Sequence, residues 1–211
     1  MIIGLTGKSC SGKDYVSRMF GDDFVVIDED KLGHVALDSN KEKLVAAFGE
    51  SIITDGRVDR KKLGPIVFSD KAKLEKLNSI SHPWMVSETL RLCRIAESEG
   101  KIAVINAAIL EKMGFVPYCN EVVLVSSPYS ERLKRALLRD KITPEAFEKR
   151  DENQKDIGST LTSIGEKVTI IINDGDKAMT MLIFTDLNAE GISFFSDEEI
   201  TLNLVKYDLV K

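Results

Sequence analysis

The sequence predicts an α/β protein: a parallel sheet of about five strands with helices on both faces. Three observations carry this prediction. Short runs of β-branched and apolar residues recur without polar alternation, as in strands covered on both faces. The stretch between successive runs is always too long for a hairpin, so neighbouring strands are parallel and joined by crossovers. Apolar residues at helical spacing fill those stretches. In order, Ile2–Thr6 reads as a buried strand that runs into a glycine-containing loop. Residues 14–20 are helical in pattern and are stopped by Gly21-Asp22-Asp23. Residues 24–27 form a second strand. From 29 to 100 the pattern is helical and charged, broken by a turn at Asp55-Gly56-Arg57. Within it Pro83 reads as the opening of a helix, where its missing N–H costs nothing. Met85, Thr89, Leu92, Ile95 and Ala96 continue that helix. Residues 102–105, 122–125 and Val168–Ile172 are the third, fourth and fifth strands, and Asn173-Asp174-Gly175 is a turn after the last. The tail from 191 supports two readings: Ser196 and Glu199 fit a capping box, and Leu202 and Leu204 alternate as in a strand. No repeat or linker divides the chain, so residues 1–211 are expected to form a single domain.

The composition narrows the function. With 29 Lys and Arg against 34 Asp and Glu, the net charge is −5, which disfavours general nucleic-acid binding. Cys10, Cys93 and Cys119 are odd in number and widely spaced, so they form neither a disulfide framework nor a zinc signature. Scattered thiols suit a reducing cytoplasm. Met1 leads straight into a strand, and no run approaches the ~20 apolar residues of a membrane helix. A cytoplasmic protein without a membrane partner is expected.

The strongest motif is Gly7-Lys8-Ser9-Cys10-Ser11-Gly12-Lys13-Asp14. It has the G-x-x-x-x-G-K layout of a phosphate loop, with an apolar strand before it and a helix after it. Glycines let the backbone curl until several N–H groups face an anion, and the helix presents its positive end to the same anion. ATP is therefore expected on Lys8, Ser9, Cys10, Ser11, Gly12, Lys13, Asp14 and Tyr15, with Lys13 reaching the β- and γ-phosphates. Asp14 stands where such loops usually carry a hydroxyl that meets Mg²⁺. A carboxylate is also a hard oxygen ligand for Mg²⁺, and the other reading makes Asp14 a cap of the first helical turn.

Asp28-Glu29-Asp30 follows the second strand, at the sheet edge where open α/β folds bind ligands. One of these acids can orient or deprotonate an acceptor hydroxyl; all three can equally serve as a helix cap and acidic first turn. His34 lies four residues after Asp30, on the same helical face.

At this point the chain resembles the dephospho-coenzyme A kinases. The resemblance rests on Ile3-Gly4-Leu5-Thr6-Gly7, Ser11-Gly12-Lys13, and the segment Val26-Ile27-Asp28-Glu29-Asp30-Lys31-Leu32-Gly33-His34 with its D-x-D. It continues through Asp55-Gly56-Arg57-Val58-Asp59-Arg60, Val67-Phe68, His82-Pro83, residues 132–140, Gln154 and Ile172-Asn173-Asp174-Gly175. These blocks span roughly residues 1–176 in family order. Ala107 stands where the family has proline, and the tail from 176 does not resemble its terminal helix.

The resemblance implies a P-loop fold with a helical acceptor-binding region at about 30–100 and a lid at about 132–155. It implies ATP-dependent phosphorylation of the ribose 3′-hydroxyl of dephospho-coenzyme A, with Mg²⁺. Catalysis would fall to Lys13, Asp30 and Arg139, acceptor binding to Asp30, His34 and His82, and adenine binding to Asn173 and Gly175; Asp14 departs from the family pattern, and its place toward the metal follows from its carboxylate. Arg132, Arg135 and Arg139 share a helix face at i, i+3 and i+7, which reads either as a phosphate clamp or as a solvated face. Two other functions fit the same residues. Loops ending Ser-Gly-Lys-Asp also resemble those of kinases for phosphomevalonate or nucleoside monophosphates, and a nucleotide-binding protein without turnover is the third possibility. The sequence leaves the oligomeric state open.

Overall fold

A computed structural model describes residues 1–158, 168–173, 178–184 and 193–196, the last two segments as strands. Asp174, Gly175, Glu199, Leu202 and Leu204 lie outside the described residues. The chain divides into two compact units, one made of Met1–Ile27 with the described residues from Leu92 on, the other of Asp28–Arg91.

The first unit is built on a seven-stranded sheet. In chain order its strands are β1 (Ile2–Thr6), β2 (Phe24–Asp28), β5 (Ile102–Asn106), β6 (Glu121–Ser126), β7 (Val168–Ile172), β8 (Ala178–Phe184) and β9 (Ser193–Ser196). They lie in the order β2-β5-β1-β6-β7-β8-β9. β1 pairs in parallel with β5 and β6, and β6 with β7, so the expected five strands are present. β8 and β9 extend this sheet antiparallel. β1 lies inside the sheet between β5 and β6, and Ile3, Leu5, Val104, Val123, Val125 and Ile171 pack with Val16 into one buried cluster. Each such side chain contributes about 1.5–3 kcal/mol by leaving water. The registers Leu5↔Asn106, Thr6↔Leu124 and Ser126↔Ile172 bring the C-terminal ends of four strands to one sheet edge. The phosphate loop leaves β1 at that edge.

The helix after the loop, α1 (Lys13–Ser17), is shorter than the pattern 14–20 predicts. Its last bonds tighten to three-residue turns, Arg18 N–H to Tyr15 and Met19 N–H to Val16, before Gly21 turns the chain into β2. Later in this unit, α6 (Tyr129–Arg135) passes into a π-helical turn at Ala136–Asp140, followed by α7 (Pro144–Glu152).

The second unit contains α2 (Glu29–Ser39), α3 (Lys41–Phe48), the hairpin β3 (Ile53–Thr54) and β4 (Arg57–Val58), and α4 (Arg60–Phe68). Leu44, Ile52, Leu63 and Val67 form its core. Asp55 and Gly56 both take positive φ, 50° and 78°, which gives the mirror-image turn whose twist matches a hairpin. Asp59 caps α4 through Lys61 N–H at 2.9 Å and accepts the Thr54 hydroxyl at 2.9 Å. Those bonds hold its carboxyl below the ordinary range.

α5 spans Lys71–Ser98, so the expectation that Pro83 opens a helix is wrong. Pro83 lies in the helix interior and removes one backbone bond there. The helix continues because Met85, Thr89, Cys93 and Ala96, at three- and four-residue spacing, are all buried. That stripe outweighs the proline. Among the described residues no helix is long and apolar enough to cross a membrane.

Candidate active site

The glycines set the shape of the phosphate loop. A Cβ at Gly7 would collide with the Val125 carbonyl oxygen and sit 2.7 Å from Ser11 Oγ. Gly12 stands at the N-cap of α1 with φ +102°, and a Cβ there would strike the Asn173 amide. The curl is closed by Ser11 N–H on Lys8 O at 3.0 Å and Tyr15 N–H on Gly12 O at 2.8 Å. Turning N–H groups inward leaves carbonyls that need partners elsewhere. Asn173 Nδ2 donates to Ser11 O at 3.0 Å. Arg135 Nη1 donates to Cys10 O at 3.1 Å and to Ser11 O at 3.2 Å. Arg135 Nη2 in turn holds Asn173 Oδ1 at 2.7 Å. Both ends of the Asn173 side chain are thus engaged at the loop.

Lys13 donates to Asn106 Oδ1 at the end of β5 and lies 3.5 Å from Asp14 Oδ1. Asn106 is buried, so it holds the lysine across the sheet edge. Asp14 makes no side-chain cap of α1. Its carboxylate is exposed and lies within ion-pair reach of Lys13 and, at 4.0 Å, of Arg139. No group of three or more ligating side chains gathers among the described residues. An exposed carboxylate beside a loop of this shape fits the way Mg²⁺ is held in phosphotransferases, by one or two acids plus phosphate oxygens.

The arginine stripe separates into three roles: Arg132 and Arg135 lie in α6, and Arg139 in the π turn that follows it. Arg132 is buried, pairs with Asp151 at 2.5 Å and lies over the Tyr129 and Phe147 rings. It is neither clamp nor solvated face. Arg135 braces the loop. Arg139 remains more than half exposed, bonded through Nε to Asp140 at 2.7 Å. Asp140 also takes Arg150 at 2.7 Å, and the two guanidinium groups push its carboxyl down to about 2. Arg150 reaches Ser9 Oγ at 3.2 Å, and Gln154 Oε1 accepts Ser9 N–H at 2.7 Å. Arg132→Ala is expected to cost about 3 kcal/mol of stability, because it strands Asp151 in a largely buried site. Arg139→Ala is expected to leave the denaturation midpoint nearly unchanged and to lower kcat. Urea unfolding set beside turnover separates the two.

In the second unit the three consecutive acids also divide. Asp28 is the N-cap of α2 and accepts Lys31 N–H at 3.2 Å. Glu29 is buried and accepts the Thr89 hydroxyl at 2.5 Å, while its Oε2 has no hydrogen-bond partner among the described residues. Asp30 is exposed, and no hydrogen bond or ion pair engages its carboxylate among the described residues. His34 is exposed one turn further on, its Nδ1 3.4 Å from Arg60 Nη1. His82 is partly buried within α5, and burial holds its pKa below the ordinary histidine value.

Burial raises the Glu29 carboxyl from 4.5 to about 7, with the Asp28 and Asp30 charges adding to the rise. Between those two values the folded chain keeps a proton that the unfolded chain releases. Stability therefore falls as pH rises through this window, by about 3 kcal/mol at ~1.4 kcal/mol per unit. Glu29→Gln is expected to match the wild type at pH 4 and to exceed it at pH 8, in denaturant melts at the two pH values.

Asn106, Asp140 and Arg150 were not expected from the sequence as site residues, and Arg135, expected as part of a clamp or a solvated face, instead braces the loop carbonyls. Asn106 carried a signal, a lone amide ending an apolar strand at the ligand-binding edge. Asp140 and Arg150 carried none, since charged residues on a helix usually face solvent.

With this geometry in place, comparison with known proteins is informative. A dephospho-CoA kinase family model matches residues 1–177. A dephospho-CoA kinase from Fusobacterium nucleatum is 38% identical over 153 residues, covering 71% of this chain and 78% of the relative. One from Borreliella burgdorferi is 34% identical over 184 residues, covering 84% and 88%. The solved dephospho-CoA kinase of Campylobacter jejuni superposes with a TM-score of 0.60 at 26% identity, covering 83% of this chain and 89% of that one. A solved structure from Thermus thermophilus shares the fold over 100% of this chain and 98% of its own, with a TM-score of 0.71 at 24% identity. The phosphate loop, the acids after β2 and the arginines after β6 occur here in one chain that the family model spans from its first residue, and the chain belongs to the dephospho-CoA kinase family.

Proposed function

We propose a division of labour among this chain's residues for the family's reaction. That reaction moves the γ-phosphoryl group of ATP to dephospho-coenzyme A and completes coenzyme A. The observation that carries the proposal is the anchored Lys13: its ammonium is fixed by Asn106 at the mouth of a loop whose carbonyls are braced from behind.

The loop amides and Lys13 hold the β- and γ-phosphates. A preorganised cation of this kind stabilises charge as it develops in the transition state, without reorganising at that moment. Arg139, which Asp140 holds through Nε and Nη2, offers its Nη1 to the transferring group. Asp30 orients the ribose 3′-hydroxyl and accepts its proton; an exposed, unengaged carboxylate suits that task. His34 and His82 are assigned to the acceptor, and Asn173 and Gly175 to the region of the adenine. Asp14 is the residue that would hold Mg²⁺, and the ion, when bound, screens the charge of the β- and γ-phosphates. The residues from 132 to 155 serve as the lid, whose closure keeps water from the γ-phosphate. We assign the whole chain to one kinase domain acting in the cytoplasm on a small-molecule acceptor.

A coupled ADP-release assay tests the acceptor. Turnover is expected with dephospho-coenzyme A and not with phosphomevalonate or deoxynucleoside monophosphates. A preference for either of the latter would reassign the acceptor site. Tight ATP binding with no product from any acceptor would remove the catalytic reading.

A further inference from the structure

We propose that Arg60, seated against His34, is the anion subsite that takes the diphosphate of the acceptor. This inference rests on the placement of the acceptor hydroxyl at Asp30 and adds a specificity determinant to it.

The hairpin and the Asp59 cap place Arg60 at the first position of α4, where its Nη1 comes to 3.4 Å from His34 Nδ1. A guanidinium only donates, so Nδ1 is the acceptor and the His34 proton sits on Nε2. The contact thus presents two kinds of donor side by side, the remaining guanidinium N–H groups and an imidazole N–H. Neither is satisfied by an acid. Both residues are exposed, and among the described residues no carboxylate lies within ion-pair distance of Arg60. Asp59, the acid next to it in sequence, is committed to Thr54 and the α4 cap, and Asp38 to Val58 N–H. A surface arginine held by a neutral partner and left without a counter-charge is suited to an anion, and its planar fork matches phosphate oxygens in pairs.

The spacing identifies which anion. Asp30 and His34 are four residues apart on α2, so their Cβ atoms lie about 5–6 Å apart. The acceptor is a nucleotide whose 3′-oxygen reacts and whose 5′-carbon carries a diphosphate. One ribose separates the two, a comparable span. A carboxylate at the hydroxyl and a guanidinium one turn away therefore address both ends of the same sugar. Because the 5′ end is anchored, the 3′-hydroxyl is the one presented.

The test compares wild type, Arg60→Ala and Arg60→Lys in steady-state turnover of dephospho-coenzyme A, and of adenosine, which keeps the ribose and lacks the diphosphate. Arg60→Ala is expected to raise the KM for dephospho-coenzyme A at least tenfold, with the KM for ATP and the kcat/KM for adenosine unchanged. Arg60→Lys is expected to recover part of the loss. The KM of the wild type is expected to rise with ionic strength more steeply than that of Arg60→Ala, which gives a second reading where adenosine turnover is slow. An unchanged KM for dephospho-coenzyme A, or an equal fall with both acceptors and an unchanged salt slope, overturns the subsite while leaving the acceptor assignment in place. A wild-type enzyme that does not phosphorylate dephospho-coenzyme A at all overturns both.

Discussion

Lys13→Ala is expected to lower kcat by about a thousandfold or more. A thousandfold corresponds to about 4 kcal/mol of lost transition-state stabilisation, within reach of a fixed cation placed against developing phosphoryl charge. The ammonium is held in advance: Asn106 Oδ1 accepts from it, and the Asp14 carboxylate lies 3.5 Å away. The same anchoring explains why the fold should survive. Lys13 belongs to no apolar cluster, and the loop keeps its shape through Gly7, Gly12, Asn173 and Arg135. Circular dichroism and the denaturation midpoint should therefore stay near the wild type while turnover collapses. Asn106→Ala is expected to fall between the two, since the lysine stays but loses its rest. Wild-type turnover from a folded Lys13→Ala variant would refute the phosphate-loop assignment.

The parts of the fold legible in the sequence are those in which a local pattern and the tertiary environment ask for the same residues. β1, β5, β6 and β7 are apolar runs because both of their faces are covered, and the runs announce them directly. The phosphate loop is legible for a similar reason, since its glycines answer to backbone sterics within a few residues. Pro83 is illegible by local rules: proline marks a helix start only when nothing stronger holds the helix together, and the buried stripe from Met85 to Ala96 does. Arg132 shows the complementary failure. Its spacing matches an exposed face, yet it is buried because Asp151, nineteen residues on, supplies the opposite charge. Arg135 and Arg150 acquire their meaning from Cys10, Ser11 and Ser9, more than a hundred residues earlier. No local pattern carries a partner at that distance. The Asp28-Glu29-Asp30 run is the intermediate case: its position marks a site, and only the structure separates the cap, the buried acid and the exposed carboxylate.

That separation gives the second large effect, which distinguishes Asp30 from Asp14. Asp30→Asn is expected to lower kcat by roughly a hundredfold to ten-thousandfold, the usual range for removing a positioned proton acceptor. The amide keeps the size and the neutral contacts, so the KM for dephospho-coenzyme A should move little. Added Mg²⁺ should not restore the rate, because no ion replaces the lost base. Asp14→Asn is expected to depress turnover for a different reason. It keeps an oxygen but loses the charge that draws a divalent cation to the loop, so part of its activity should return as Mg²⁺ is raised. Asp14→Ser, which installs the hydroxyl usual in such loops, should retain substantial activity. Turnover measured against Mg²⁺ concentration for wild type and these three variants decides the matter. Rescue of Asp30→Asn and not of Asp14→Asn would exchange the two roles. Unchanged turnover in both would reduce the acids to structural groups, although Asp14 makes no cap and the α2 cap is already supplied by Asp28.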